Sequence, residues 1–290
     1  MSRRGFVLVM LAVVLWSGNF VFVRAAVDVV PPMALSFYRW VLASCLAIAV
    51  AWPHLRRDWP LIKAGWRSLL LLGMTGIAGN SLFVFYGLKT TTAINALLMN
   101  SMSPLLTALI TFLYFRERPR LSTMIGLALA ICGVVWVVIG GDWHLLRTLR
   151  LNSGDLWVLV GVATYAVYMA FLRKVPPMHD LSLNAATFTV GAITLLPFFL
   201  FEYAGGARSD WSAPISWITI IYMAVGTSVI SYFCFNKAIR LIGATRASSF
   251  LLLTPPIGAV IAMMTLGERL TMPHVIGAAL IFAGLFLGRR

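Results

Sequence analysis

Ten apolar blocks divide this chain, and no other feature limits its fold so severely. They fall at 5–27, 31–53, 67–88, 93–114, 121–141, 154–174, 181–204, 214–237, 243–266 and 272–288. An α-helix of about 20 residues, rising about 1.5 Å per residue, crosses the roughly 30 Å of hydrocarbon in a bilayer. Inside hydrocarbon every backbone polar group must be satisfied by the chain itself, which leaves only helices and closed barrels. Barrel strands are short and alternate apolar with polar residues, and these blocks do not. Charged residues make up 11% of the chain and the mean hydropathy is +0.90, against about 25% charged residues in soluble domains. The reading is an all-α polytopic membrane protein with ten transmembrane helices. Block 5–27 is longer than the core of a signal peptide and nine more spans follow it, so it reads as a retained span.

The net charge of +14 invites a nucleic-acid reading, and its distribution argues against one. With the N-terminus inside, sixteen basic residues fall on the inner side, among them Arg56, Arg57, Arg116, Arg118 and Arg173. Six fall outside and Arg39 lies within a span. Such a bias in short loops sets topology, so both termini are expected in the cytoplasm. Basicity is here an orientation signal, and no nucleic-acid partner is expected.

A second regularity is a gapless internal repeat. At one fixed offset Pro104 aligns with Pro255, Glu117 with Glu268, Arg118 with Arg269, Gly126 with Gly277 and Gly133 with Gly284. A weaker echo sets LWSGNFVFVR (15–24) against TYAVYMAFLR (164–173). The halves are read as 1–141 and 154–290, joined by a connecting loop at 142–153. Each holds five spans, and because five is odd the second enters the membrane upside down. Inverted-topology repeats of this kind let a site near the midplane open alternately to either side, which suits a carrier better than a receptor.

WSGNFVFVRAAVDVVPPMALSFYRW, ALLMNSMSPLLTALITFLYFRERPRLSTMIGLALAICG and SFLLLTPPIGAVIAMMTLGERLTMPHVIGAALIFAG together resemble the paired EamA domains of the drug/metabolite transporter superfamily. The resemblance spans nearly the whole chain. It implies ten helices in two inverted five-helix repeats, and export of small metabolites, often amino acids. The first half departs from the pattern, with Arg116 and Pro119 where the second has Gly267 and Leu270. The expected function is therefore outward transport of small metabolites, amino acids foremost, by alternating access. A drug or lipophilic-cation exporter, or an importer of the same fold, is the alternative. The expected partners are a small-molecule substrate and the lipid bilayer, with a bacterial inner (plasma) membrane as location. A monomer suffices, a homo-oligomer remains open, and no cofactor or metal is expected. An intramembrane protease would need embedded Asp, or Ser paired with His; the acids and histidines here fall in loops or at span ends, so no enzyme is expected.

Candidate cavity residues are mostly uncharged: Trp16, Asn19, Asn80, Tyr86, Asn100, Ser103, Tyr165, Tyr168, Ser231, Tyr232 and Thr254. Buried polar groups in hydrocarbon need partners, either a ligand or a neighbouring helix. Arg39 could hold a substrate carboxylate with its planar fork, or it could snorkel to the outer interface. Pro104 and Pro255 interrupt their spans at matched positions, either as simple kinks or as markers of a central site. Glu117 and Glu268 close their spans, as gating carboxylates or as boundary charges near a helix N-terminus. No Asp, Glu, His or Lys falls at mid-span, which argues against tight proton coupling. Gly126, Gly133, Gly277 and Gly284 repeat seven residues apart and predict close helix packing.

Overall fold

The computed structural model describes residues 3–26, 29–87, 90–91, 99–148, 153–266 and 272–287. Among these every regular element is helical. In chain order they are α1 (Arg3–Ala26), α2 (Pro32–Ala64), α3 (Trp66–Gly87), α4 (Ser103–Phe115), α5 (Leu121–Val138) and the short α6 (Trp143–Thr148). The second half supplies α7 (Ser153–Phe171), α8 (Asp180–Ala204), α9 (Pro214–Ile242), α10 (Ala244–Ser249), α11 (Thr254–Leu266) and α12 (Met272–Leu287). Helices α2, α3, α7, α8 and α9 are long and apolar enough to cross a bilayer, while α4, α5 and α12 are apolar but shorter. At 33 residues, α2 is about 50 Å long and overruns the hydrocarbon. Its last turns, with Arg56, Arg57 and Asp58, project beyond it at the end of the bundle where the N-terminus lies.

The strongest helix pairs join the two halves. Helix α2 packs along α8, α5 along α12, α3 along α7 and α1 along α9. In the α5–α12 pair Gly133 meets Gly277 and Gly126 meets Gly284, the crossing order of antiparallel helices. The seven-residue glycine spacing thus builds a seam inside one chain. Removing Cβ atoms at two levels lets the backbones approach, and packing in place of a hydrophobic drive then holds the pair.

Two structural echoes of the repeat were not legible in the sequence. Helix α3 widens into a π-helical stretch at Gly73–Gly79, and α9 does so at Met223–Ile230. These lie at corresponding places in the two halves, and π-helical turns concentrate at functional sites because they divert backbone carbonyls from the regular ladder.

The prolines stand where their helical runs are irregular, at a turn over 101–102 and at a 3-10 stretch over Phe250–Leu253. Pro104 does not kink a continuous helix; it stands in the first turn of α4, which starts at Ser103. A proline in the first turn of α4 sacrifices an N–H that a helix start leaves without a helical partner, whereas Pro255 stands where the 3-10 stretch passes into α11. At the far end of α4, Arg116 adopts φ 60°, a left-handed conformation that glycine takes without steric cost. The repeat has glycine at this very position, Gly267, so the departure from the family pattern falls on a residue that bears the strain; Gly267 itself lies outside the described residues.

Candidate functional site

Where α1, α2, α7, α8 and α9 converge, the side chains are aromatic and packed edge to face. Tyr232 of α9 is the hub, with ring centroids 5.6 Å from Trp16, 5.5 Å from Trp40, 5.4 Å from Phe188 and 5.9 Å from Tyr168. Tyr165 stacks on Tyr168 at 5.6 Å, and Trp16 stands edge-on to Phe235 at 4.9 Å. Such geometry sets positive ring edges against negative faces and contributes about 0.5–1.5 kcal/mol per pair beyond the area buried.

The same aromatics tie down the π-helical turns. Tyr232 Oη donates to the Gly76 carbonyl at 3.1 Å, and Trp16 Nε1 donates to the Thr227 carbonyl at 2.8 Å. Each carbonyl lies in a π-helical stretch, and each donor comes from the opposite half. Gly76 itself lies against the Tyr168 ring, where any side chain would collide. Within the second stretch Ser231 Oγ donates to the Gly226 carbonyl, and Thr227 Oγ1 reaches Asn19 Oδ1 at 3.4 Å.

Arg39 does not snorkel. It is 9% exposed, donates through Nε to Ser228 Oγ at 2.9 Å and lies 4.3 Å above the Trp40 ring. Trp40 in turn bonds Ser81 through its indole N–H. Among the described residues no carboxylate lies within ion-pair reach of Arg39; the ion pairs join Arg57 to Asp58, Arg173 to Glu117 and Arg240 to Asp180. A buried guanidinium with one neutral partner retains several unused donors. Close to it in the cluster, the Tyr165 hydroxyl is buried and faces the Tyr232 hydroxyl.

From this cluster a polar ladder runs toward the end that carries the N-terminus. Tyr168 Oη donates to Asn236 Oδ1 at 2.8 Å, and Asn236 Nδ2 donates to Asn184 Oδ1 at 2.9 Å. One turn further Arg240 pairs with Asp180 at 3.2 Å. Spacings of four put 232, 236 and 240 on one face of α9 and 180, 184 and 188 on one face of α8. The ladder ends on His54 and His179, whose rings stack 3.8 Å apart and nearly parallel. There the His179 backbone N–H donates to the buried Asp58 carboxylate at 2.8 Å. Burial, and then the neighbouring His54, hold the His179 imidazole below its usual pKa. Burial alone would raise Asp58, but the hydrogen bonds from His179 and Arg57 outweigh it and leave the carboxyl below its usual range.

Of the residues expected to converge, Trp16, Arg39, Tyr165, Tyr168 and Tyr232 do so, with Asn19 and Ser231 beside them. Asn80 instead bonds the Gly161 carbonyl across α3 and α7 at 3.0 Å, which makes it helix-to-helix glue. Tyr86 is exposed and stands against Trp157, and Asn100 is exposed. Neither joins the cluster. Ser103 and Thr254 are buried at the starts of α4 and α11, and Ser103 Oγ has no partner among the described residues. Glu117 pairs with Arg173 at 2.6 Å, both partly exposed. Glu268 lies outside the described residues.

The profile of the EamA-like transporter family matches residues 3–139 and 152–289. The chain belongs to the EamA-like transporter family. Among its relatives, the uncharacterized transporter YyaM of Bacillus subtilis (strain 168) is 32% identical over 220 residues, which cover 75% of this chain and 71% of YyaM. A probable amino-acid metabolite efflux pump of Salmonella typhimurium is 28% identical, covering 99% of this chain and 95% of its own. A probable terminal-alkyne amino-acid exporter of Streptantibioticus cattleyicolor is 26% identical, covering 97% and 91%. A solved crystal structure superposes with a TM-score of 0.81 at 18% identity, over 98% of this chain and 95% of that one, a likeness of fold. As a member of this transporter family the protein is an integral membrane protein that handles a small-molecule substrate.

Reading the sequence missed Trp40, Asn184 and Asn236 as parts of this constellation. The four-residue spacing of polar groups along α8 and α9 would have pointed to the two asparagines. Trp40 carried no such pointer, since an apolar residue beside an arginine looks like ordinary lining.

Proposed function

We propose that the protein carries small amphipathic metabolites with a carboxylate, amino acids foremost, out of the cytoplasm by alternating access. The observation that carries this reading is Arg39, buried beside the aromatic cluster with no acidic partner among the described residues. A substrate carboxylate would complete its fork of donors, and an apolar side chain would lie among Trp16, Tyr165 and Tyr232. An uncompensated cation also disfavours a cationic substrate, which weighs against the lipophilic-cation alternative. The names of the Salmonella and Streptantibioticus relatives agree with the substrate class.

In this reading 1–141 and 154–290, linked by 142–153, act as two units with both termini cytoplasmic. The π-helical turns of α3 and α9 serve as the points where backbone bonding is exchanged as the site opens to one side or the other. A two-state element biased by ligand is what alternating access requires.

The test is efflux from proteoliposomes loaded with all the amino acids and several lipophilic cations, followed by mass spectrometry with and without a pH gradient. The wild-type protein is expected to release some amino acids selectively, with little effect of the gradient. Arg39→Gln is expected to slow release at least tenfold while insertion and yield stay normal. Release of cations alone, or unchanged release by Arg39→Gln, overturns the proposal.

A further inference from the structure

At the end of the bundle opposite the N-terminus lies a separate pocket of about 240 Å³ between the start of α2, the end of α8 and the segment that follows it. Its walls are Tyr38, Phe199, Tyr203 and Trp211, with Glu202 and Arg208 among them. The rings form a corner in place of a flat stack. Tyr38 stands at 89° to Trp211 with centroids 4.9 Å apart, and at 70° to Phe199 with centroids 5.3 Å apart. The negative face of an aromatic ring attracts a cation. The protein uses one wall this way itself, since the Arg208 guanidinium lies 3.9 Å over the Tyr203 ring.

The lining carries one carboxylate, Glu202, and one guanidinium, Arg208. One oxygen of Glu202, Oε2, accepts the Ala34 backbone N–H at 3.0 Å and so caps the first turn of α2. The other makes no hydrogen bond among the described residues, and Glu202 forms no ion pair there. Arg208, although near, spends its Nη1 on the Tyr203 and Ala207 carbonyls. A carboxylate with a free oxygen, set among aromatic rings, matches the chemistry that recognises an ammonium group.

We infer that this pocket is a second binding site, specific for the ammonium end of a small amphipathic solute. It would hold the solute through Glu202, with the apolar body against Tyr38, Phe199 and Trp211. The inference stands independently of the carboxylate site at Arg39. For a zwitterion the two sites are complementary: the central one reads the carboxylate and this one the amine.

The experiment uses the full chain labelled with 5-fluorotryptophan, in which the Trp211 resonance is identified by its loss in Trp211→Phe. Phenethylamine and 3-phenylpropionate serve as probes because they share an apolar body and differ in the charged group. Phenethylamine is expected to shift the Trp211 resonance saturably, and 3-phenylpropionate to bind at least tenfold more weakly. Glu202→Gln keeps an acceptor for the Ala34 N–H and is expected to weaken phenethylamine at least tenfold. Tyr38→Leu, which keeps an apolar wall without a ring face, is expected to weaken it as well. Arg39→Gln is expected to leave the shift in place, which separates this site from the transport reading. Absence of a saturable shift, equal binding of the two probes, or undiminished binding in both Glu202→Gln and Tyr38→Leu overturns the inference.

Discussion

Gly133 and Gly277 face one another so closely that a Cβ built on either would stand 2.7 Å from the carbonyl oxygen of the other. The obstacle on each side is backbone, which cannot swing aside as a side chain can. Gly133→Ala is therefore expected to push α5 away from α12 and lower stability by about 1–3 kcal/mol. Gly258→Ala on α11 is the control, since its nearest neighbour would be 3.8 Å away, and it is expected to change little. Thermal unfolding of the two purified variants, followed by size-exclusion homogeneity, makes the comparison; equal behaviour would mean the seam is not tight.

The cross-ties to the π-helical turns lead to a coupling prediction. Tyr232→Phe deletes the bond to Gly76 and Trp16→Phe deletes the bond to Thr227, each at about 1 kcal/mol. Because the Trp16 and Tyr232 rings also touch, with centroids 5.6 Å apart, the two losses should not add. A double-mutant cycle on unfolding is expected to show an interaction energy of at least about 0.5 kcal/mol. Additive losses would mean that the two ties act separately.

What could be read from the sequence follows from where its physics is local. Block length and the offset repeat reveal helices, inversion and the glycine seam, because each depends on spacing along one segment. The proline positions were equally visible, yet not their role, since a proline at a helix start and one at a kink look alike in a long apolar run. His54 and His179 are distant in sequence and meet only because α2 overruns the membrane and passes the start of α8. Arg39 was ambiguous for a similar reason: its height in α2 was clear, but only Ser228 and Trp40, brought by the fold, decide between snorkelling and burial.

Glu117 offers a case where little should happen. Its bond to Arg173 is short, but both side chains are substantially exposed, at 56% and 40%, and solvent screens such pairs to about 0–1 kcal/mol. Arg173 also lies 3.6 Å over the Phe115 ring, a contact that survives loss of the acid. Glu117→Gln is therefore expected to keep transport within a few-fold of wild type in the proteoliposome assay. A large loss at normal yield would make the pair part of a gate.

His179 makes stability depend on pH in a particular direction. His179 is held below its usual value of 6.5 by burial first and His54 second, while Asp58 and Asp180 pull the other way and Arg57 adds to the lowering. An imidazole with a depressed folded pKa binds fewer protons in the folded state than in the unfolded one, so folding is favoured where it is neutral. Its contribution is complete above pH 6.5 and is lost as pH falls below that value toward the folded pKa. Asp58, also depressed but from 3.8, contributes above that value and is lost only in stronger acid, so the two steps are separable. Melting temperature measured from pH 7.5 down to 5 is expected to fall, and the fall to be shallower in His179→Gln, which keeps the backbone N–H bonded to Asp58. An unchanged slope in that variant would move the sensitivity elsewhere, and a melting temperature that rises as pH falls would reverse the sign of the argument.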